Sequence, residues 1–259
     1  MKGLFHQRVF ISGGCGDIGR AVAARFLEEG AHVVLADLLD PEKGAAVAGS
    51  LSPTAAHYIP CDATNRSSVE AALAFVLEKL GGLDVAISNA GTVSNQPFVE
   101  ITEEAWRRTL EVNLTGSFLV AQAAVKAMLR NPRAGTARRG TLLFTGSWVQ
   151  QMPWPEAASY CSSKGGQEML MKVIAQEMAP EGITCNIVAP GMVYAGLTKA
   201  IYDRDAAFRE RTDASVPLGR MSSAEELAGA FAFLASTEGA YITGSTLLID
   251  GGASLVKRA

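Results

Sequence analysis

Short apolar runs rich in β-branched residues recur along the chain, and most are followed by a longer segment with helical periodicity. Residues 8–12, 32–36, 56–61, 83–88, 141–146, 183–188 and 245–249 read as buried strands. Residues 20–29, 67–80, 102–129, a stretch through Tyr160 to about residue 178, and 224–234 carry apolar positions at the helical period. Seven strands alternating with helices predict an α/β fold: one domain over residues 1–259, built on a doubly wound parallel sheet with helices on both faces. In such sheets ligands bind beyond the carboxyl ends of the strands. Ser12, Asp37, Asp62, Asn89, Ser147 and Pro190 stand at those ends and are expected to line one crevice.

The first strand runs directly into Gly13-Gly14-Cys15-Gly16-Asp17-Ile18-Gly19, a helix follows, and Gly30 suits its C-terminal cap. The next strand closes at Asp37, completing a strand–turn–helix–strand unit. Glycines there allow close approach of backbone to a diphosphate, which the free amides and dipole of a helix N-terminus attract. Asp37 lies where an acid meets the adenosine ribose hydroxyls, and its charge disfavours a 2′-phosphate, so NAD is expected over NADP.

Composition narrows the alternatives. The chain is 48% hydrophobic with a net charge of −3 and interspersed charges, which does not suit a nucleic-acid surface. Four dispersed cysteines and three histidines offer no zinc spacing and no disulfide framework, in keeping with a reducing compartment. With no apolar run approaching a membrane span and a first strand starting at Arg8, the protein is expected to be cytoplasmic. Two stretches break the regular alternation. Residues 131–139 read as a polar, basic surface loop, and residues 191–217, with Tyr194, Leu197, Ile201, Tyr202 and Phe208 among charges, as a lid over a pocket.

Within Ser159-Tyr160-Cys161-Ser162-Ser163-Lys164, Tyr160 and Lys164 are one helical turn apart and share a face. A cation beside a phenol favours the phenolate and makes the tyrosine a usable proton donor or acceptor. Cys161, adjacent on the helix, points elsewhere and reads as packing; Cys15 reads as a small filler of the glycine turn.

With these segments in hand, the chain resembles the short-chain dehydrogenase/reductase family of Rossmann-fold oxidoreductases from residue 8 to about residue 254. Ser12-Gly13-Gly14-Cys15-Gly16-Asp17-Ile18-Gly19 is similar to the family's Thr-Gly-x-x-x-Gly-x-Gly, and Ser88-Asn89-Ala90-Gly91 to its Asn-Asn-Ala-Gly. Asp62, Asn113 in Val112-Asn113-Leu114, Ser147 thirteen residues before Tyr160, Tyr160-x-x-x-Lys164 and Pro190-Gly191 complete the likeness. It implies a catalytic set of Asn113, Ser147, Tyr160 and Lys164. Tyr160 would exchange the proton, Ser147 bind the substrate oxygen, Lys164 lower the Tyr160 pKa and contact the nicotinamide ribose, and Asn113 hold a water linking Lys164 to bulk. It further implies a cofactor site of Gly13, Asp17, Ile18, Gly19, Asp37, Asp62, Ala63, Asn89, Ala90, Gly91, Tyr160, Lys164, Pro190, Gly191 and Val193. Relatives pair the helices equivalent to residues 102–129 and 159–178 across a two-fold axis, which implies a homotetramer.

Two positions depart from the pattern. Asp17 replaces the middle glycine, where a carboxylate suits capping of the helix. Ala195 replaces a threonine that ordinarily helps hold the nicotinamide amide, leaving that task to Thr198 or backbone groups. Ser147, Trp148, Gln150, Gln151, Met152, Trp154, Tyr160, Tyr194 and Tyr202 are expected around the substrate. Aromatic walls and glutamines suit a sugar, polyol, cyclic alcohol or hydroxy-acyl compound bearing a secondary alcohol. The competing readings are a non-catalytic dinucleotide-binding sensor or scaffold and, among enzymes, an epimerase or dehydratase.

Overall fold

The computed structural model describes residues 1–132 and 138–255, so the expected loop at 131–139 lies partly outside the described residues, as does the Leu197 side chain of the expected lid. Seven parallel strands form one sheet: β1 (Arg8–Ser12), β2 (His32–Asp37), β3 (Ala56–Pro60), β4 (Val85–Ser88), β5 (Gly140–Thr145), β6 (Ile183–Pro190) and β7 (Thr246–Ile249). Their spatial order is β3-β2-β1-β4-β5-β6-β7, so the order reverses between β1 and β4. Such a reversal opens a crevice at the carboxyl edge of the sheet.

Both faces of the sheet are covered, as parallel strands require. Phe10, Val34, Ala86, Leu142, Phe144 and Ile187 pack under α3 (Arg66–Leu80), α5 (Gly116–Met128) and α6 (Ala158–Met178). Val9, Ile11, Leu35, Val85, Ile87 and Leu143 pack on the other side under α1 (Asp17–Glu28) and α9 (Ala224–Ala235). Strand positions one residue apart thus feed opposite cores.

Several elements differ from the sequence reading. That reading passes directly from β2 to β3, whereas α2 (Pro41–Leu51) lies between them. Asp40 caps it by accepting from the Lys43 amide at 2.9 Å, and Pro41 occupies the first turn. The helix or helix pair expected over residues 102–129 is α4 (Glu103–Leu110) and α5, joined by a π-helical turn at Glu111–Thr115. The lid segment contains two helices, α7 (Gly196–Arg204) and α8 (Ala206–Ala214). The basic residues at the edge of the 131–139 loop do structural work: Arg138 donates to the carbonyls of Leu234 and Ala235 at the end of α9, and Arg139 pairs with Glu181 at 3.0 Å.

Candidate active site

The described carboxyl edge of the sheet holds a cleft of about 1030 Å³. Its wall runs from Asp37, Leu38 and Asp62 past Gly13, Ile18 and Gly19 to Ser147, Tyr160 and Lys164. The cofactor residues expected from sequence, Ala63, Asn89, Ala90, Gly91, Pro190, Gly191 and Val193 included, all line it.

The glycine turn is built for close approach. Gly13 has φ +63°, and a Cβ there would lie 2.8 Å from the Ala90 Cα; one at Gly19 would lie 2.4 Å from the Gly13 carbonyl. Asn89 fastens the turn to the sheet, its Nδ2 donating to the Gly13 carbonyl at 2.9 Å while its Oδ1 accepts from Thr145 Oγ1 at 2.9 Å. At the tip of β2, Asp37 accepts from the Cys15 amide at 3.0 Å and the Leu38 amide at 2.7 Å. Asp62 accepts from the Thr64 amide and hydroxyl.

Asp17 does not cap α1. The cap residue is Gly16, which brings no side-chain bond to the first amides. Asp17 is already helical, and its carboxylate turns outward, accepting from the Gly196 amide at 2.7 Å and from Arg20 at 2.7 Å. These bonds hold its carboxyl below the usual range. Burial pushes the Cys15 thiol up to about 11, so it stays protonated, and it packs against the core as a filler.

The residues present fit a nicotinamide dinucleotide. The α1 amides are left uncapped, the turn admits no Cβ at Gly13, Gly14 or Gly19, an acid stands at the ribose end, and the cleft continues unbroken to Tyr160. Arg20 offsets the charge of Asp17.

At the other end, Ser147 and Tyr160 meet through their hydroxyls. Burial raises the Tyr160 pKa, and the hydrogen bond with Ser147 opposes the rise. Desolvation dominates, so the Tyr160 phenol lies above its ordinary value and not below it as expected beside Lys164. The Lys164 ammonium sits 5.8 Å from the Tyr160 ring centroid, on the shared helix face the spacing predicts. It donates to the Thr145 carbonyl at 2.7 Å, and complete burial brings its pKa down to about 8.

Asn113 is fully buried behind this group, in the π-turn. Its side chain accepts from the Thr92 amide at 2.8 Å and donates to the Thr92 carbonyl at 2.9 Å and to Ser163 Oγ at 3.0 Å. Its carbonyl accepts from Ser117 Oγ at 2.7 Å and Gln167 Nε2 at 3.4 Å. Both ends thus have protein partners.

The substrate residues divide. Trp148 and Trp154 line the cleft, their rings 5.3 Å apart, within an apolar cluster that includes Val149, Val216, Met192 and the packed Cys161. Gln150 is consumed by its own turn: Oε1 accepts from the Ser147 amide at 3.1 Å, and Nε2 reaches Thr246. Gln151 donates to Glu168 at 2.8 Å, and Met152 is not in the lining. Tyr194 and Tyr202 pair edge to face, with hydroxyls held by Asp203 at 2.6 Å and Asp213 at 2.8 Å, outside the lining. Thr198 lines the cleft, as do Phe208 of α8, expected in the lid, and Arg211 of α8, which the sequence reading did not single out. Their placement at helical spacing on one lid helix was the available signal.

No described helix is long and apolar enough to cross a membrane, and no described cluster of side chains could hold a metal ion.

Residues 15–254 match the family model described as enoyl-(acyl carrier protein) reductase. The chain is 34% identical to 3-oxoacyl-[acyl-carrier-protein] reductase FabG of Vibrio cholerae over 246 residues, 95% of this chain and 96% of that protein. The Escherichia coli FabG is 33% identical over the same length. A short-chain type dehydrogenase/reductase from Mycobacterium marinum superposes with a TM-score of 0.87 at 34% identity, covering 98% of this chain and 97% of that one. A dehydrogenase/reductase from Serratia marcescens gives 0.87 at 29% identity, covering 97% and 99%. Sequence, fold and cleft therefore agree, and the chain belongs to the short-chain dehydrogenase/reductase family of oxidoreductases.

Proposed function

We propose that the protein interconverts a secondary alcohol and a ketone with NAD(H), using Tyr160 as the acid and base. The observation that carries this is the meeting of the Ser147 and Tyr160 hydroxyls in the cleft with a buried ammonium behind them. A bound nicotinamide dinucleotide supplies or accepts the hydride, and the chain's own residues do the rest. Two hydroxyls converging on one point suit a carbonyl oxygen: Ser147 donates to it and orients it, and Tyr160 delivers its proton as negative charge develops there. In the reverse direction Tyr160 accepts the alcohol proton. This favours carbonyl reduction, the reaction in the name of the FabG relatives, over the carbon–carbon double bond in the description of the family model.

Ser147, Tyr160 and Lys164 together in the cleft support the catalytic reading over a binding-only protein, which has no need of a proton-transfer set. Asp37 supports NAD over NADP through charge at the ribose end. The tryptophan pair suits a ring or acyl substituent. Exposed apolar residues on α5, at its C-terminal cap and on α6 (Phe118, Leu129, Met169, Val173) suit self-association to a homotetramer, and four free cysteines suit the reducing cytoplasm.

The test is a screen of ketones and secondary alcohols followed by absorbance of the reduced nicotinamide, then Tyr160→Phe on the substrate found. Removing a general acid–base group lowers turnover by about 10²–10⁴-fold, while NADH binding stays near the parent level. Near-parent turnover in Tyr160→Phe sinks the assignment.

A further inference from the structure

Lys164 has a second anchor that the reaction scheme does not use. Its Nζ donates to Gln167 Oε1 at 3.3 Å, one helical turn further along α6. The orientation of the amide is unambiguous, because an ammonium has no lone pair and must face the oxygen. The NH₂ group is thereby turned inward, donating to Ser117 Oγ at 2.7 Å and to the Asn113 carbonyl at 3.4 Å. Ser117 Oγ also donates to the Asn113 carbonyl at 2.7 Å and receives Ser88 Oγ at 3.2 Å. Ser88, Asn113, Ser117, Lys164 and Gln167 are all buried, none more than 3% exposed. A buried amide satisfied at both ends is strongly oriented, since any rotation leaves a desolvated polar atom unpaired.

We propose that Gln167 is a positioning residue: its amide, pinned to Ser117 and the π-turn carbonyl of Asn113, clamps the Lys164 ammonium in register with Tyr160. Two fixed acceptors, Thr145 O and Gln167 Oε1, stop the ammonium from turning about its terminal bond. The direction of its third N–H is then determined, and that donor is left for the cleft that Lys164 lines. An amide neither gains nor loses a proton near neutrality, so Gln167 orients the charge without draining it. The pin lies in the π-turn. Its Asn113 carbonyl receives both Ser117 Oγ and Gln167 Nε2.

The role rests on the reading that Lys164 serves Tyr160, but its test does not need turnover. The titratable neighbour that Lys164 faces is Tyr160, on its own helix. The other elements packed around it present the Thr145 carbonyl, Asn113, Ser117 and the backbone at Gly91, none of which titrates near neutrality.

The measurement is the titration of Lys164 in the intact protein labelled with ¹³Cε-lysine, its signal assigned by loss in Lys164→Met. Gln167→Leu removes the acceptor and should move the midpoint down by about one pH unit, the equivalent of one hydrogen bond to a charged group. Gln167→Glu replaces it with an anionic acceptor and should move the midpoint up. A filler of core volume would give no shift, or shifts of the same sign in both variants, and either result overturns the clamp. Ser117→Ala cuts one pin of the amide with little change in volume and should give a smaller downward shift. It decides the matter if a Gln167 variant does not fold, and an unmoved midpoint there also overturns the proposal. Turnover surviving in Tyr160→Phe would remove the functional reading and leave this titration result standing.

Discussion

Replacing Lys164 with methionine should flatten a specific part of the pH–stability curve. The ammonium is fully buried, and its pKa falls from 10.5 to about 8 on folding, through desolvation. That fall corresponds to about 3 kcal/mol at 1.36 kcal/mol per pH unit. The sign follows from linkage. Below pH 8 both states carry the proton, and the folded state bears the penalty of a buried charge. Between about 8 and 10.5 the unfolded chain binds more protons, so stability rises with pH through this window. By pH 9.5 the gain over pH 7 is about 2 kcal/mol. Cys15 and Cys61, raised to about 11 by burial, act oppositely: their contribution is present below pH 9.0 and lost above it as the folded pKa is approached. Both proteins contain them, so they cancel in the difference between parent and Lys164→Met. The two acceptors orphaned by the substitution, Thr145 O and Gln167 Oε1, add a vertical offset without slope. Urea unfolding followed by circular dichroism between pH 7 and 9.5, at one protein concentration because self-association changes apparent stability, gives the difference curve. A flat difference, or one that falls with pH, refutes the argument.

Three other expectations can be checked at once. Asp37→Ala should weaken NADH by about 10–100-fold, the worth of charge-assisted bonds to the ribose, and narrow its margin over NADPH; fluorescence titration measures both, and a parent that binds NADPH as tightly refutes the acid's role. Arg211 lines the cleft, and its guanidinium makes no hydrogen bond or ion pair among the described residues, so Arg211→Ala should raise KM about tenfold for carboxylate- or phosphate-bearing substrates and leave neutral analogues unchanged; equal effects on both classes would refute an anion contact. Ser223 and Glu226 form a reciprocal cap at the start of α9, and Ser223→Ala should remove about 1 kcal/mol of stability and lower Tm by about 2–4 °C, with an unchanged melting curve as the contrary result.

How much of this was legible in the sequence follows from which interactions are local. Strands buried on both faces must be continuous apolar runs, so β1, β2 and β4 to β6 stand out wherever Val, Ile, Leu and Phe cluster. The catalytic candidates were legible because helix geometry ties Tyr160 to Lys164, and a strand end fixes Ser147. α2 was missed because it buries little beyond Gly44 and Ala48 and lacks a strong apolar stripe, although Asp40-Pro41 is a helix start signal. The π-turn was invisible because one extra residue per turn changes the phase of the pattern without changing residue type. Gln150, Tyr194 and Tyr202 had the right chemistry for a binding pocket, but their orientation was set elsewhere. Thr246, 96 residues from Gln150, and the carboxylates of Asp203 and Asp213 claim them first.

The bond between Asp17 and Gly196 spans 179 residues of sequence and joins the glycine turn to the first residue of α7. One carboxylate therefore faces two ways, toward the helix end that attracts anions and toward the segment that roofs the cleft. An anion settling on α1 repels the charge that holds the roof, and a shifted roof changes the surroundings of that charge. The tether of α7 therefore stands at the end of the cleft opposite Tyr160, beside the glycine turn.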